Sequence, residues 1–334
     1  MERVKGAMDG GTDEAREELL LVLREFLGKR EDAALAGPVP FELDRSWWHQ
    51  LAGLGLFSLI LTEDDGGIGL GLDDLARTFE VLGEHRAPGP LVWTQLAALV
   101  NPALAAGDLV VAGVDLTVVR PGDAVLVPHF AGADRLLVLW SDAVRIFDTR
   151  DVESVLLDAP IDPETPVSRI GFLPDAEQVG GAEDADRLRK IGGLLTAATL
   201  LGVSQAALDV AVAYAKDRHQ FGRPIGSFQA IKHLLADSYA RTNLARAAVY
   251  AAAELRGAGA DGDGYDLPAA QLLAAKAADG NSRTAVQVFG GMGFAWETPP
   301  HLLLKRTWLL EHEFGTTGEH ALAVAHALAG GSRD

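Results

Sequence analysis

The sequence predicts a mainly α-helical protein with a small β domain. It divides into an N-terminal helical domain over 1–107, a short middle β domain over 108–185 and a C-terminal helical bundle over 186–334. Three observations predict this order. Apolar residues at helical spacing mark the first hundred positions. From about Leu109 the texture changes to short apolar runs broken by Gly, Pro and Asp. From Leu188 onward long Ala/Leu stretches return with helical period.

Each element follows from local pattern. Thr12-Asp13-Glu14 precedes Leu19, Leu20, Leu23, Phe26 and Leu27, a helical spacing with an acidic first turn that the helix dipole favours, and Gly28-Lys29-Arg30 fits its end. Further helices are expected through Trp47–Leu54 and Leu72–Gly83, split by the loop Leu61–Gly69. Trp47 and Trp48 stand beside Leu51 and Leu54 at helical spacing, which predicts core or interface packing rather than stacking on a ligand. The runs LVVAGVDLTVV, AVLVP, RLLVLW, AVRIF and ESVLL read as strands. Asp175–Asp186, acidic and Gly-containing, reads as a linker. Leu194–Asp217, Gln229–Arg256, Pro268–Phe289 and His301–Phe314 then read as long helices, with a short last one near Glu319–Leu328. Together they form a four- or five-helix bundle. There is no internal repeat, and the one low-complexity stretch is the Gly-Asp loop Gly257–Gly264.

Composition narrows the function. Hydrophobic residues make up 48% and charged ones 23%, as in ordinary globular proteins, and 334 residues can bury a substantial core. A formal charge of −18 argues against a nucleic-acid partner, so an anionic ligand needs a local basic pocket. With no cysteine, disulfides, thiolate nucleophiles and Cys metal sites are excluded, and the nine histidines include no close metal-ligand pair, so no metal is expected. Neither a G-x-S-x-G elbow nor a P-loop occurs. The first residues lack a charged-then-apolar leader, and no uninterrupted apolar run approaches the ~18 residues of a membrane span, so no span is expected. The expectation is a cytoplasmic protein.

Two segments carry chemistry. Between two bundle helices stands Arg218-His219-Gln220-Phe221-Gly222-Arg223-Pro224-Ile225-Gly226-Ser227-Phe228. Arg218 and Arg223 offer fixed forks for a diphosphate, Gly222 and Gly226 permit tight turns, Phe221 gives a flat apolar face, and the Gln220-Phe221 pair reads as buried. The plainer alternative is an interhelical loop with solvated arginines. The second segment is Gln287-Val288-Phe289-Gly290-Gly291-Met292-Gly293-Phe294. A side chain at Gly290 or Gly291 would hold the backbone away from a ligand, and Gln287 can both donate and accept. A helix-ending turn is its alternative.

The first segment, with Gln229, His233 and Leu235-Ala236-Asp237 after it, resembles a signature of the acyl-coenzyme A dehydrogenases. The second resembles the same family's glycine turn, and Leu61-Thr62-Glu63 with Gly66-Gly67 and Gly69-Leu70 resembles its N-terminal loop. The three fall in the family's order, and the resemblance covers most of the chain. It implies a helical, β, helical-bundle fold, FAD as cofactor, an acyl-CoA thioester as substrate and an electron-transfer acceptor protein as partner. It also implies that Arg218 pairs with the flavin pyrophosphate, that Gln220 and Phe221 line the cofactor, and that Gln287 with Gly290 and Gly291 meets its adenosine side. In such a family the flavin lies against the bundle of a neighbouring subunit, so a homo- or hetero-oligomer is expected.

The chain departs from the family where the proton is removed. The family's carboxylate base comes from a Glu-Gly-Thr stretch near the chain end or from the first bundle helix. The corresponding positions here are Gly315, within Phe314-Gly315-Thr316-Thr317, and Gly192, with Gly193 where arginine is common. No catalytic residue is therefore assigned; loss of a general base costs about 10² to 10⁴ in rate. Glu313 can rescue the first site only through a rearranged loop, and otherwise reads as a helix-end glutamate. Trp296-Glu297, His301-Leu302 and Leu304-Lys305-Arg306 before Phe314-Gly315 resemble a bacterial subgroup that ends without the standard glutamate. The middle domain also lacks the family's Thr-Glu-Pro…Gly-Ser-Asp and Trp-Ile-Thr stretches, so it reads as shortened. Three readings follow: a base-lacking subunit that shares a flavin with a partner chain, as the resemblance implies for bacterial breakdown of steroid side chains and other bulky acyl thioesters; a self-sufficient homo-oligomeric dehydrogenase using Glu313; and a flavin-free scaffold.

Overall fold

A computed structural model describes residues 12–29, 41–119, 123–259 and 264–330. The chain forms two compact units: Met1–Leu21, Pro40–Leu75 and Pro88–Gly193 make the first, and Val22–Val39, Ala76–Ala87 and Leu194–Asp334 the second.

The first unit holds the sheets. Helix α1 (Thr12–Gly28) starts there, followed by α2 (Arg45–Gly53), capped by Asp44, whose carboxylate accepts from the N–H groups of Ser46 and Trp47 at 2.8 and 3.2 Å. Trp48 of α2 is fully buried and lies 5.1 Å, centroid to centroid, from Phe57, so the expected packing is core packing for Trp48, while Trp47 is half-buried. Helix α3 (Leu72–Glu84) begins in this unit, and α4 (Leu91–Val100) follows. The sequence reading passed over α4 because its run LVWTQLAALV is apolar all round and carries no amphipathic period.

A four-stranded sheet has the order β1-β3-β4-β7, from Val111–Asp115, Arg135–Leu139, Ala143–Asp148 and Gln178–Gly181. β1 and β3 run parallel and the other pairs antiparallel. A second, antiparallel sheet has the order β2-β6-β5, from Val125–Pro128, Val167–Ile170 and Ser154–Leu156. Gly113 permits β1 to lie on α4, since a Cβ there would sit 2.1 Å from the Trp93 ring. Thr94 ties the same pair, donating to the Val111 carbonyl and accepting from its N–H.

The stretch 175–186 is not a linker. Gln178–Gly181 is a sheet strand and Ala182 already begins α5 (Ala182–Asp217). Its acidity belongs to the helix start, where Asp184 accepts from the Gly181 N–H at 3.0 Å. Arg189 of α5 makes a short ion pair, 2.7 Å, with the buried Asp115 of β1 and donates to the Trp140 carbonyl.

The second unit contains the rest of α5 with α6 (Gln229–Gly257), α7 (Asp266–Phe289), α8 (Pro300–Leu310) and α9 (Thr317–Gly330). α8 stops at Leu310, short of the expected Phe314, because Phe314 and Gly315 both take positive φ and turn the chain. Small residues allow close helix contact. A Cβ on Gly83 would lie 2.1 Å from the Thr199 carbonyl oxygen, and one on Gly202 would lie 2.0 Å from that of Glu80. The core carries a satisfied polar layer. Asn281 donates to the Ser204 and Thr242 hydroxyls, both at 2.8 Å, and accepts from Arg241 at 3.0 Å. A buried Glu80 receives Arg246 at 2.8 Å and the Tyr250 hydroxyl, while Arg24 pairs with Glu84. Burial pushes the Tyr250 hydroxyl and the Glu84 carboxyl above their usual ranges.

The longest bundle helix exceeds the apolar length expected from the sequence. Among the described residues α5 contains an 18-residue window with mean hydropathy 1.6, long and apolar enough to span a membrane, and 83% of that window is buried. Alternating Ala, Leu, Val and Gly make a bundle core helix that passes the same test of length and composition.

Candidate functional site

The two predicted segments meet at one end of the second unit. Arg218 follows the last turn of α5, its N–H bonded to the Tyr214 carbonyl at 2.8 Å. The chain then forms a small hairpin, β8 (His219–Gln220) against β9 (Arg223–Pro224), closed by the Ile225 N–H on the Arg218 carbonyl at 2.8 Å. Phe221 and Gly222 form the two-residue turn, with φ of 53° and 78°. Glycine is ordinary there, but a phenylalanine in the left-handed region costs about 1–2 kcal/mol. Gly226 brings the following turn against α5, since its Cβ would be 2.9 Å from the Ala215 carbonyl oxygen.

The expectation that Gln220 and Phe221 are buried is overturned. Phe221 is 91% exposed and Gln220 is exposed too, because a side chain at the tip of a two-residue turn points away from the strands that carry it. The Phe221 ring meets Phe228 edge-on at 6.1 Å, and the Arg223 guanidinium lies 4.1 Å over Phe228. Arg218 differs from Arg223. Its exposed guanidinium has no partner among the described residues.

Tyr214 links this hairpin to the glycine turn. Its ring stacks on Phe289, the last residue of α7, at 4.0 Å between centroids and 16° between planes. Sequence reading missed Tyr214; the signal was its place one helical turn before Arg218. Gln287 is exposed on the last turn of α7, two residues before that stack. Gly290 has φ 61° and ψ −135°, a region open to glycine. Gly293 is fixed by packing, with the Val286 carbonyl 2.6 Å from where its Cβ would be. Gly291 is required by neither, since nothing lies within 4 Å of its Cβ position. An unpartnered guanidinium and an exposed glycine with no internal reason to be one fit an anionic, flat ligand such as a flavin dinucleotide.

The two expected base positions lie elsewhere in the fold. Gly192 and Gly193 are buried within α5, at the edge of the first unit. Gly315 is buried with φ 115°, and Glu313 is half-buried in the turn after α8. A Cβ on Gly315 would meet the His320 ring, 2.8 Å from Cε1, 3.2 Å from Nε2 and 3.6 Å from Nδ1. α9 is started by a reciprocal cap. Thr316 donates from its N–H and hydroxyl to Glu319 at 2.7 and 2.9 Å, and the Glu319 N–H returns to the Thr316 hydroxyl at 3.3 Å. Burial holds the His320 imidazole below its ordinary pKa, opposed by Glu319 and a hydrogen bond to the Gly315 backbone.

The chain's relatives agree with this architecture. Residues 187–329 match the model of the acyl-CoA dehydrogenase C-terminal domain. The acyl-CoA dehydrogenase FadE34 of Mycobacterium tuberculosis is 35% identical over 313 residues, 85% of this chain; the chain spans 42% of FadE34. The acyl-CoA dehydrogenase IpdE2 of Mycolicibacterium smegmatis is 32% identical over 270 residues, covering 79% of this chain and 81% of IpdE2. The ChsE4-ChsE5 complex of Mycobacterium tuberculosis has the same fold, with a TM-score of 0.80 at 24% identity over 96% of this chain and 98% of that one. The chain belongs to the acyl-CoA dehydrogenase family of flavoprotein oxidoreductases.

Proposed function

We propose that this chain serves α,β-dehydrogenation of an acyl-CoA thioester as a subunit that lacks the family's carboxylate base and shares an FAD site with a partner chain. The observation that carries the reading is the joined hairpin and glycine turn. Arg218 stands without a partner among the described residues, Phe221 is bare, and the Tyr214–Phe289 stack fixes both to the exposed Gln287 turn. This exposed surface supports a site that a second chain completes. Its likeness in fold to the ChsE4-ChsE5 complex supports a heteromer, and the glycine at 315 supports the loss of the family's carboxylate from this chain.

Within this reading Arg218 would hold the pyrophosphate, Gln220 and Phe221 would line the cofactor, and Gln287 with Gly290 and Gly291 would meet its adenosine side. When bound, the flavin would supply the acceptor for the β-hydride, and the partner implied for its electrons would be an electron-transfer protein. The hairpin's task is binding and exclusion of water.

The test is flavin retention by the assembled protein. Arg218→Ala is expected to lower flavin occupancy at least about tenfold, the loss of roughly 1.4 kcal/mol or more expected for a charge-assisted contact, while Arg223→Ala, whose guanidinium is already spent on Phe228, lowers it less. Equal occupancy in wild type and Arg218→Ala would remove the phosphate role from the loop.

A further inference from the structure

Outside the flavin surface one titratable side chain stands where the resemblance locates the lost carboxylate. The direction a side chain at residue 315 would take is filled by another residue: the three heavy atoms nearest to a Gly315 Cβ all belong to the His320 imidazole. Glu313, two residues earlier, contributes none of them.

The local sequence makes this placement. Phe314 and Gly315, both at positive φ, reverse the chain after α8, and the Thr316–Glu319 cap starts α9 at once. The His320 N–H bonds to the Thr316 carbonyl at 3.0 Å, so the histidine lies in the first turn of α9, folded back onto Gly315. At φ 115° residue 315 favours glycine, and without a Cβ there the His320 ring can lie against the turn; a Cβ would require the ring to move. Phe314 is held in turn by its burial and by Gln271 of α7, which donates to its carbonyl at 3.5 Å.

We propose that His320 is a proton acceptor toward the α carbon of a bound acyl thioester, standing in the place of the absent carboxylate. The proposal rests on the reading of the ligand as an acyl-CoA, and adds that the position without a carboxylate is not without a base. The step balances as a proton transfer. The α C–H bond breaks, its proton goes to the unprotonated imidazole nitrogen, and the electron pair stays on the thioester as an enolate stabilised through its carbonyl. Reprotonation from the imidazolium reverses it, with no oxidant consumed. Burial favours the neutral ring that can accept, and among the described residues Glu319 is the charged side chain whose field acts on it.

Because the step needs no electron acceptor, it can be read without turnover. The full chain, as isolated with whatever partner it retains, is incubated with a saturated acyl-CoA in D₂O, and deuterium at the α carbon is followed by mass spectrometry. The expected result is exchange above the buffer rate, reduced about 10²-fold or more in His320→Gln. Exchange should rise with pH along a titration whose midpoint lies below pH 6.5, the ordinary histidine value. Glu313→Gln should leave it unchanged. Exchange at the buffer rate in the wild type, or equal exchange in His320→Gln, overturns the proposal, as does a loss confined to Glu313→Gln. His320→Asn serves as a second variant should the glutamine variant misfold. Flavin occupancy in His320→Gln is expected to equal wild type, so a failure of this proposal is distinguishable from a failure of the shared-flavin reading, which occupancy alone decides.

Discussion

Tyr214 and Phe289, seventy-five positions apart in the sequence, stack face to face at 4.0 Å and so bind the Arg218 hairpin to the Gln287 turn. A stacked aromatic pair contributes about 0.5–1.5 kcal/mol beyond its burial. A double-mutant cycle with Tyr214→Leu and Phe289→Leu, read by chemical denaturation, is expected to give a coupling energy in that range. Each single variant should also weaken flavin retention although neither removes a group that meets the phosphate. Additive effects would mean that the two segments are held independently.

The helix crossings through glycine are expected to be intolerant of one methyl group. Gly83→Ala and Gly202→Ala each place a Cβ about 2 Å from a carbonyl oxygen of the facing helix, which requires a backbone shift costing about 1–3 kcal/mol. Thermal unfolding should show a clear drop for each. Gly291→Ala, which meets no atom of the chain within 4 Å, should leave the melting temperature unchanged and lower flavin occupancy.

Arg246→Ala should be among the most damaging single changes in the bundle. It leaves the buried Glu80 carboxylate with the Tyr250 hydroxyl in place of a guanidinium, and breaking a buried pair costs about 3–5 kcal/mol. Arg246→Lys recovers part of this, because an ammonium supplies charge without the fork that also reaches Gln205. Equilibrium denaturation of the three proteins checks the order.

Stability should depend on pH through His320. Its folded pKa lies below the unfolded value of 6.5, so the unfolded chain binds the proton more readily in the window between the two. The stability that accompanies the neutral ring is fully present above pH 6.5 and declines as pH falls through that window. His320→Gln should flatten this part of the curve of melting temperature against pH. An unchanged slope would mean that the ring is as accessible to protons in the folded chain as in the unfolded one.

The order of helices, sheets and bundle was legible because period 3.6 and short β runs differ strongly in this chain. What was not legible had physical reasons. α4 lacks an amphipathic stripe, so no period marks it. The acidic stretch at 175–186 mimics a linker because a strand's end and a helix's start share the same Gly and Asp residues. At the site, the arginines and glycines were visible as a group, but the bare Phe221 was not: exposure of a large aromatic depends on a two-residue turn that apolarity alone does not reveal. His320 was hidden for another reason. Its meaning comes from the glycine five residues earlier and from a cap that folds the helix start back, which no spacing rule encodes.

The shared flavin site is tested most directly by a visible absorption spectrum, with solution mass, of this chain purified alone and after co-expression with a second acyl-CoA dehydrogenase-like chain. The account predicts flavin absorbance only in the larger, co-expressed species. Stoichiometric flavin on the chain alone would contradict it.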